Sequence, residues 1–505
     1  MSSAPRGPAW FTTGVLTLCG MIVSLQQTLV IPLLPDLPEI LGVSADDASW
    51  LVTATLLAGA VSTPIVARMA DMYGKRRMLL LSLGVMTAGS LIAAVGGSFV
   101  PLLVGRAMQG FGASLIPVGI SIMREQLPRE RLAGGIALMS ATLGIGGALG
   151  LPLSGVLYGA FGWTSLFWST AAVGAVLIVF IRLAVAESPQ RSPGRFDVVG
   201  ALVLSVFLVC LLLALSKGAS WGWGGPRVLV LGAVSVLSLA LWIPLQLRTR
   251  APMVDLRTAV LPPVLLTNVA SFFAGFAMLL NSLITTQELQ VPTDTGYGLA
   301  LPVVTAGLLM VPGGLMMLVF SPVSSRMLNR WGGKPTLVAG LAVMGLTYAG
   351  RVLAPDSVAN AVVGSTLVSV GTAISFAAMP VLIMSAVPRS ETASANGVNS
   401  LVRALGTSSA SALLALLFAS LTVSVDGVTY PSAAGMDAAL WAGAAVCVAG
   451  TAFGLFIPVR GYEAEPDPVP GPVAESGGAS GSPDRAAPVP GGAGYPRPPR
   501  EPTGT

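Results

Sequence analysis

Apolar stretches long enough to cross a bilayer recur along most of this 505-residue chain, and that recurrence leaves few folds open to it. A hydrocarbon core about 30 Å thick is spanned by about 20 helical residues. Lipid offers no partner to a backbone N–H or C=O, so each stretch is expected to close its hydrogen bonds internally, as a helix. Fourteen are legible, the first from Phe11 to Pro35 and the last from Asp437 to Pro458. Composition agrees: 53% of residues are hydrophobic and 10% charged, where soluble domains carry about 25% charge. The expected fold class is an all-α polytopic membrane protein. The first stretch exceeds the roughly 7 to 15 apolar residues of a signal-peptide core, so it is read as a permanent span.

Charge sets the expected orientation, because short cytoplasmic loops accumulate Lys and Arg. Most of the 27 Lys and Arg residues fall on one face, among them Arg68, Lys75, Arg76, Arg77, Arg124, Arg129, Arg326, Arg330 and Lys334. Lys217, Arg227 and Arg351 fall opposite. Both termini are therefore expected in the cytoplasm of a multi-pass protein of the cell membrane. The net charge of +5 is spread over short loops, which points away from nucleic acid as a partner. Histidine is absent, and Cys19, Cys210 and Cys447 stand singly in expected helices, so neither a metal site nor a disulfide framework is expected. No G-x-x-x-x-G-K-[ST] loop is present, and no cofactor is expected. From about Gly461 the chain is rich in Pro, Gly and Ser, a composition expected to stay disordered.

An internal repeat organises what lies between. ARMADMYGKR, Ala67 to Arg76, aligns without gaps on SRMLNRWGGK, Ser325 to Lys334, pairing Arg68 with Arg326, Asp71 with Asn329, Tyr73 with Trp331 and Gly74 with Gly332. Both copies join the second and third helices of a six-helix block once two helices between Val198 and Gln246 are set aside as an insert. Such halves are characteristic of transporters that rock one half against the other around a central site. The expected organisation is 1–10, a cytoplasmic terminus; 11–185, a first six-helix block; 186–250, two inserted helices; 251–460, a second block; and 461–505, the tail.

Three further motifs carry chemistry. In ARMADMYGKRR, Gly74 permits a tight turn, and Asp71 is suited to accept hydrogen bonds from helix N-termini or to pair with Lys75, Arg76, Arg77 or Arg68. The cluster suits a breakable latch, or simply a basic loop that fixes topology. GRAMQGFGA, Gly105 to Ala113, puts Arg106 and Gln109 inside the fourth helix; ionisable groups at membrane depth are functional by default, with snorkelling to the outer interface as the alternative. GGALGLPLSG, Gly146 to Gly155, recurs with small residues at Gly146, Gly150 and Ser154 for close backbone contact, while Pro152 removes a helix hydrogen bond and invites a bend. Small-residue stripes are also ordinary membrane packing.

On these motifs the chain resembles the major facilitator superfamily and, within it, the fourteen-helix branch of drug:proton antiporters, over about Phe11 to Arg460. The first motif is similar to the signature G-x-L-a-D-R-x-G-R-K with Ala67 for the first glycine, and the second to R-x-x-Q-G-x-G. The third is a variant of the exporter motif G-x-x-x-G-P-x-x-G-G. The resemblance implies a 6+2+6 arrangement, a latch that shuts the halves on the cytoplasmic side, Arg106 and Gln109 tuning a proton site, and a hinge and seal in the fifth helix through Gly146, Gly150, Pro152, Ser154 and Gly155.

One departure stands out. In the branch the first helix usually carries L-D-x-T-I-V-N-V-A-L-P, whose Asp is a candidate for proton or cation handling. Here LQQTLVIPLLP places Gln26 at that position, with Thr28 retained, and both are candidates for the lining of a substrate cavity. Asp36 and Glu288, both near the outer mouth, are the remaining carboxylate candidates. The ninth helix ends NSLITTQELQ, where Asn281 and Thr285 either line a cavity or reach outer water. Arg403, one turn into the thirteenth expected helix, reads as an anchor to the cytoplasmic interface. The function implied is proton-linked export of hydrophobic or cationic drugs by a functional monomer, working by alternating access. The alternative is transport or uniport of a specific metabolite. An enzyme is disfavoured by the lack of histidine and of mid-membrane acids.

Overall fold

The computed structural model contains fourteen helices of membrane length, labelled α1 to α14 in chain order: Ala9–Leu33, Asp46–Tyr73, Lys75–Val95, Phe99–Gln126, Arg129–Gly150, Ser165–Ala184, Val198–Trp221, Pro226–Arg248, Pro262–Gln290, Val303–Trp331, Gly333–Leu353, Val358–Ala386, Arg389–Ser420 and Ala433–Leu455. The structure describes residues 8–34, 36–354, 356–425 and 427–458. The tail, 461–505, and most of segment 1–10 lie outside the described residues. Helix α5 continues without a break to Phe161, with Pro152 inside it.

The helices pack in a pattern that appears twice. In the first block α1 packs on α5 and α6, α2 on α4, and α3 on α4 and α6; in the second, α9 packs on α13 and α14, α10 on α12, and α11 on α12 and α14. Adding eight to each helix of the first set yields the second. The blocks meet along α2 with α13 and along α5 with α10, two contacts that exchange when the blocks are interchanged. This is 6+2+6: the inserted helices α7 and α8 pack on each other, and α7 also lies against α2 and α13. Lys217, near the end of α7 away from the basic face, is buried and pins the insert to the start of α2 through Asp46 Oδ1 at 2.7 Å and Ser49 Oγ at 2.8 Å.

Close approach explains why glycine sits where it does in α4. A Cβ at Gly110 would fall 2.6 Å from the Thr55 carbonyl oxygen and 2.8 Å from the Gly59 nitrogen, both backbone atoms of α2. The chain passes through a 3-10 turn at Phe111–Ser114 immediately afterwards. The internal repeat also has a structural counterpart: α2 and α3 are joined at Gly74 (φ 117°), α10 and α11 at Gly332 (φ 81°), values open to glycine at little strain.

Three boundaries differ from expectation. Helix α2 runs on to Tyr73, so the repeat motif, expected as the connection between two helices, is the end of one helix and the start of the next, not a loop. The helical part of α13 begins at Thr392 rather than Asn399. Between α13 and α14 stands an unforeseen antiparallel hairpin, Thr422–Val425 with Val428–Pro431, turning at Gly427.

Candidate functional site

On the basic face the two blocks are joined through Asp71. Its carboxylate, fully buried, accepts hydrogen bonds from the backbone N–H of Ala393 (3.1 Å) and of Ser394 (2.7 Å), and from the Ser394 hydroxyl (2.7 Å). Those donors form the first turn of the regular helix of α13, where unsatisfied N–H groups and the helix dipole both favour an anion. Lys75 lies 3.9 Å from Asp71. It pairs more closely with Glu125 and donates to the Arg389 carbonyl oxygen at 3.2 Å. Beside it Arg124 donates to the carbonyl oxygens of Met384 and Val387 and to the Thr392 hydroxyl.

The linker before the insert closes the arrangement. Ser192 donates its N–H to the Asp71 carbonyl oxygen and its hydroxyl to that of Ser390, at 2.8 and 2.7 Å. Glu187 accepts from the Arg76 N–H at 3.2 Å and sits 3.6 Å from Arg77 Nε. Arg68 is buried, and its Nε has no hydrogen-bond partner among the described residues. The second copy of the motif does nothing comparable: Asn329 is exposed.

Helix α5 uses its two small-residue stripes on opposite partners. Gly146, Gly150 and Ser154 face α1 within the first block: a Cβ at Gly146 would collide with Ser24 and one at Gly150 with Thr28, whose hydroxyl donates to the Gly146 carbonyl oxygen at 3.0 Å. Ser154 donates to the Leu29 carbonyl oxygen at 2.6 Å. Ser140, Gly144 and Ala148 instead face the second block; Gly144 abuts Met317, and Ser140 donates to the Phe376 carbonyl oxygen at 3.2 Å. Gly155, grouped by sequence with the first stripe, is exposed and borders open space.

Ser140 and Gly147 lie about two turns apart and so share a face of α5. At Ser140 the second block touches; at Gly147 an added Cβ would meet no atom within 4 Å. Contacts between the blocks along α5 thus run from Ser140 through Gly144, against Met317, to Ala148, against Gly314, with open space beside Gly147.

Three arginines sit at membrane depth. Arg106 is 1% exposed and donates to the carbonyl oxygens of Leu51 (3.2 Å) and Gln26 (3.1 Å) and to Gln109 Oε1 (2.8 Å), while Gln109 donates to Ser90 Oγ. This removes one alternative and corrects one expectation. Arg106 does not snorkel, because its donors are spent inside the block. Nor does Gln26 line the cavity: it is 2% exposed and donates to the Gln109 carbonyl oxygen at 2.9 Å, next to Gly112, and the half-exposed neighbour is Gln27.

Arg351, near the end of α11 away from the basic face, is buried, pairs with Glu288 and donates to Asn281 Oδ1 and Thr285 Oγ1, both at 3.1 Å. Asn281 and Thr285 are thus buried ligands of a guanidinium rather than cavity lining, and Thr28 alone of the four cavity candidates is half-exposed. The segment after α9 folds back over the pair, with the Leu299 N–H donating to the Glu288 carbonyl oxygen at 3.0 Å. Tyr297 lies in this strap, and burial, followed by the Glu288 charge, pushes its phenol up to about 12. Of the two remaining carboxylate candidates Glu288 is buried and Asp36 is exposed.

Arg403 is the third. It stands about 16 Å along the helix from Thr392, so it is not an interfacial anchor but a mid-membrane cation, packed over the Phe376 ring at 4.8 Å.

The model of the Major Facilitator Superfamily matches residues 16–411, most of this chain. The chain belongs to that superfamily. It is 29% identical over 414 residues to the multidrug resistance protein Stp of Mycobacterium tuberculosis, covering 81% of this chain and 75% of that protein. It is 29% identical over 342 residues to the tetracenomycin C resistance and export protein of Streptomyces glaucescens, covering 67% and 62%. Among solved structures, the proton:xylose symporter XylE superposes with a TM-score of 0.63 at 13% identity, over 89% of this chain and 96% of that one. This superfamily member is a membrane transporter, not an enzyme.

Sequence reasoning missed Glu125, Glu187, Ser192 and Ser394 around the Asp71 contact and Arg351 beside Glu288. Arg351 had a readable signal, an arginine within an apolar stretch; the others are unremarkable until the fold brings their partners near. Burial of Gln26 carries a prediction for this transporter. Gln26→Leu removes the donor to a buried carbonyl and should lower stability by about 1 kcal/mol, while the substrate range stays unchanged because the side chain does not reach the cavity. Thermal unfolding of the purified variant, with a drug-susceptibility panel, checks both halves; a changed panel contradicts the placement.

Proposed function

We propose that this chain exports hydrophobic drugs or antibiotics across the cell membrane in exchange for protons, with the basic face and both termini in the cytoplasm. The observation that carries the reading is the bond between Asp71 and the N-terminus of α13: a buried, charge-assisted contact between the blocks, found among the described residues on the basic face, is what a cavity needs to shut on one side and reopen. Two six-helix blocks, 11–185 and 251–460, rock about it as a functional monomer, with 186–250 riding on the outside. The relatives named for multidrug resistance and for tetracenomycin C export support the outward direction.

Glu288 is the proton carrier of this reading. A carboxylate held beside Arg351 stays charged while the pair is intact and gains a proton when the pair opens. Gln26 in place of the acid that the branch usually keeps favours the second reading, uniport of a metabolite, and the buried Glu288 opposes it. Collapsing the pH gradient with a protonophore in cells whose ATP is maintained should stop efflux of accumulated drug. Continued efflux at the original rate contradicts proton coupling.

A further inference from the structure

The middle of the helix bundle holds a cation with no carboxylate beside it among the described residues. Arg403 on α13, Phe376 on α12 and Ser140 on α5 each lie about 15 to 16 Å from the basic-face end of their helix, by the 1.5 Å rise per residue, and so share the middle of a bilayer core about 30 Å thick. Leu401 and Leu405 pack towards the insert, among Leu204, Leu208 and Leu57. Arg403 is two residues from each, about 200° around the helix, and therefore points the other way, into the bundle; there its Cγ lies against Gly275 of α9 and its guanidinium covers Phe376. The side chain is only half-buried. Among the described residues, no carboxylate pairs with it and no acceptor takes its N–H groups, in contrast to Arg106 and Arg351.

We infer that the substrate class is an amphiphilic organic anion, a molecule with an aromatic or aliphatic body and a carboxylate, sulfonate or acidic phenol, whose anionic group is received by Arg403. A guanidinium presents five donors in a fork that suits a planar oxyanion, and its electrostatics are strengthened where water is scarce. With one face stacked on Phe376, the edge remains to bind. The same charge disfavours a cation in the cavity, and the described carboxylates lie at helix ends and in loops, leaving no counter-group at that depth. The inference rests on the transport reading above and deepens it by naming the charge of the cargo.

The test uses two xanthene dyes of similar size, anionic fluorescein and cationic rhodamine 123, with the purified full-length protein. Equilibrium binding in detergent and gradient-driven uptake into inside-out proteoliposomes are both measured. Fluorescein is expected to bind at least about tenfold more tightly than rhodamine 123, Arg403→Gln to remove that tenfold preference, Arg403→Lys to keep part of it and Arg403→Glu to reverse it, tenfold being 1.4 kcal/mol. The wild-type comparison does not depend on any variant folding. Tighter binding of rhodamine 123, binding of neither dye, or a preference unchanged in a folded Arg403→Gln protein would each overturn the inference. Arg403-dependent fluorescein binding without gradient-driven uptake supports it and sinks proton-linked export instead.

Discussion

Asp71→Ala should abolish most transport and leave the basic face open. The carboxylate accepts three hydrogen bonds from Ala393 and Ser394, and bonds to a charged acceptor contribute about 1.5 to 3 kcal/mol each. Even a net loss of about 3 kcal/mol shifts an equilibrium between two conformations by roughly a hundredfold. The alanine also strands two N–H groups at the start of the regular α13 helix and leaves Glu125 as the one carboxylate paired with Lys75 among the described residues. Efflux should therefore fall by at least about tenfold. A cysteine introduced at Ser140, which bonds across the blocks to Phe376, should react faster with a membrane-impermeant maleimide applied to inside-out vesicles. Asp71→Asn should be intermediate, since it keeps an acceptor and loses the charge. Normal efflux with unchanged labelling would show that the contact is packing and not a latch. The corresponding change at exposed Asn329 should do little.

That contact also shows where reading the sequence stops. The number of helices, their 6+2+6 grouping and the helix 2 to helix 3 repeat follow from apolar length and from a ten-residue alignment, both local properties of the chain. The start of α13 does not. Residues 392–398, TASANGV, are small and polar and lack the apolar run that marks a span, so they read as a loop. They are helical because a side chain more than 300 residues earlier, Asp71, accepts their N–H groups and does the work of an N-cap. Moving the start of that helix back by about two turns carries Arg403 from the interface to mid-membrane, which is why its placement was misread. Gln26 failed for a related reason. Its position in the first helix was right, but which face of α1 meets α4 depends on Gly112, whose purpose appears only when the helices are packed.

Glu288→Gln tests the other half of the mechanism, and its effect should separate coupling from binding. Glutamine is nearly isosteric and keeps an oxygen for Arg351, so the cavity, which neither residue lines, is preserved. It cannot take up and release a proton. Gradient-driven efflux should fall to background, while exchange of labelled for unlabelled substrate across proteoliposomes, which needs no net proton movement, should continue. The variant also leaves the Arg351 charge buried without its counter-ion, and breaking a buried pair costs about 3 to 5 kcal/mol, so its thermal unfolding should move down clearly. Adding Arg351→Gln removes that uncompensated charge and should recover much of the stability without restoring gradient-driven efflux. Recovery of efflux together with stability would mean that the pair only holds α9 to α11. Efflux undiminished in Glu288→Gln itself would exclude this carboxylate as the carrier. The proton would then have to be handled elsewhere, and exposed Asp36, beside the outer mouth, would be the next group to replace.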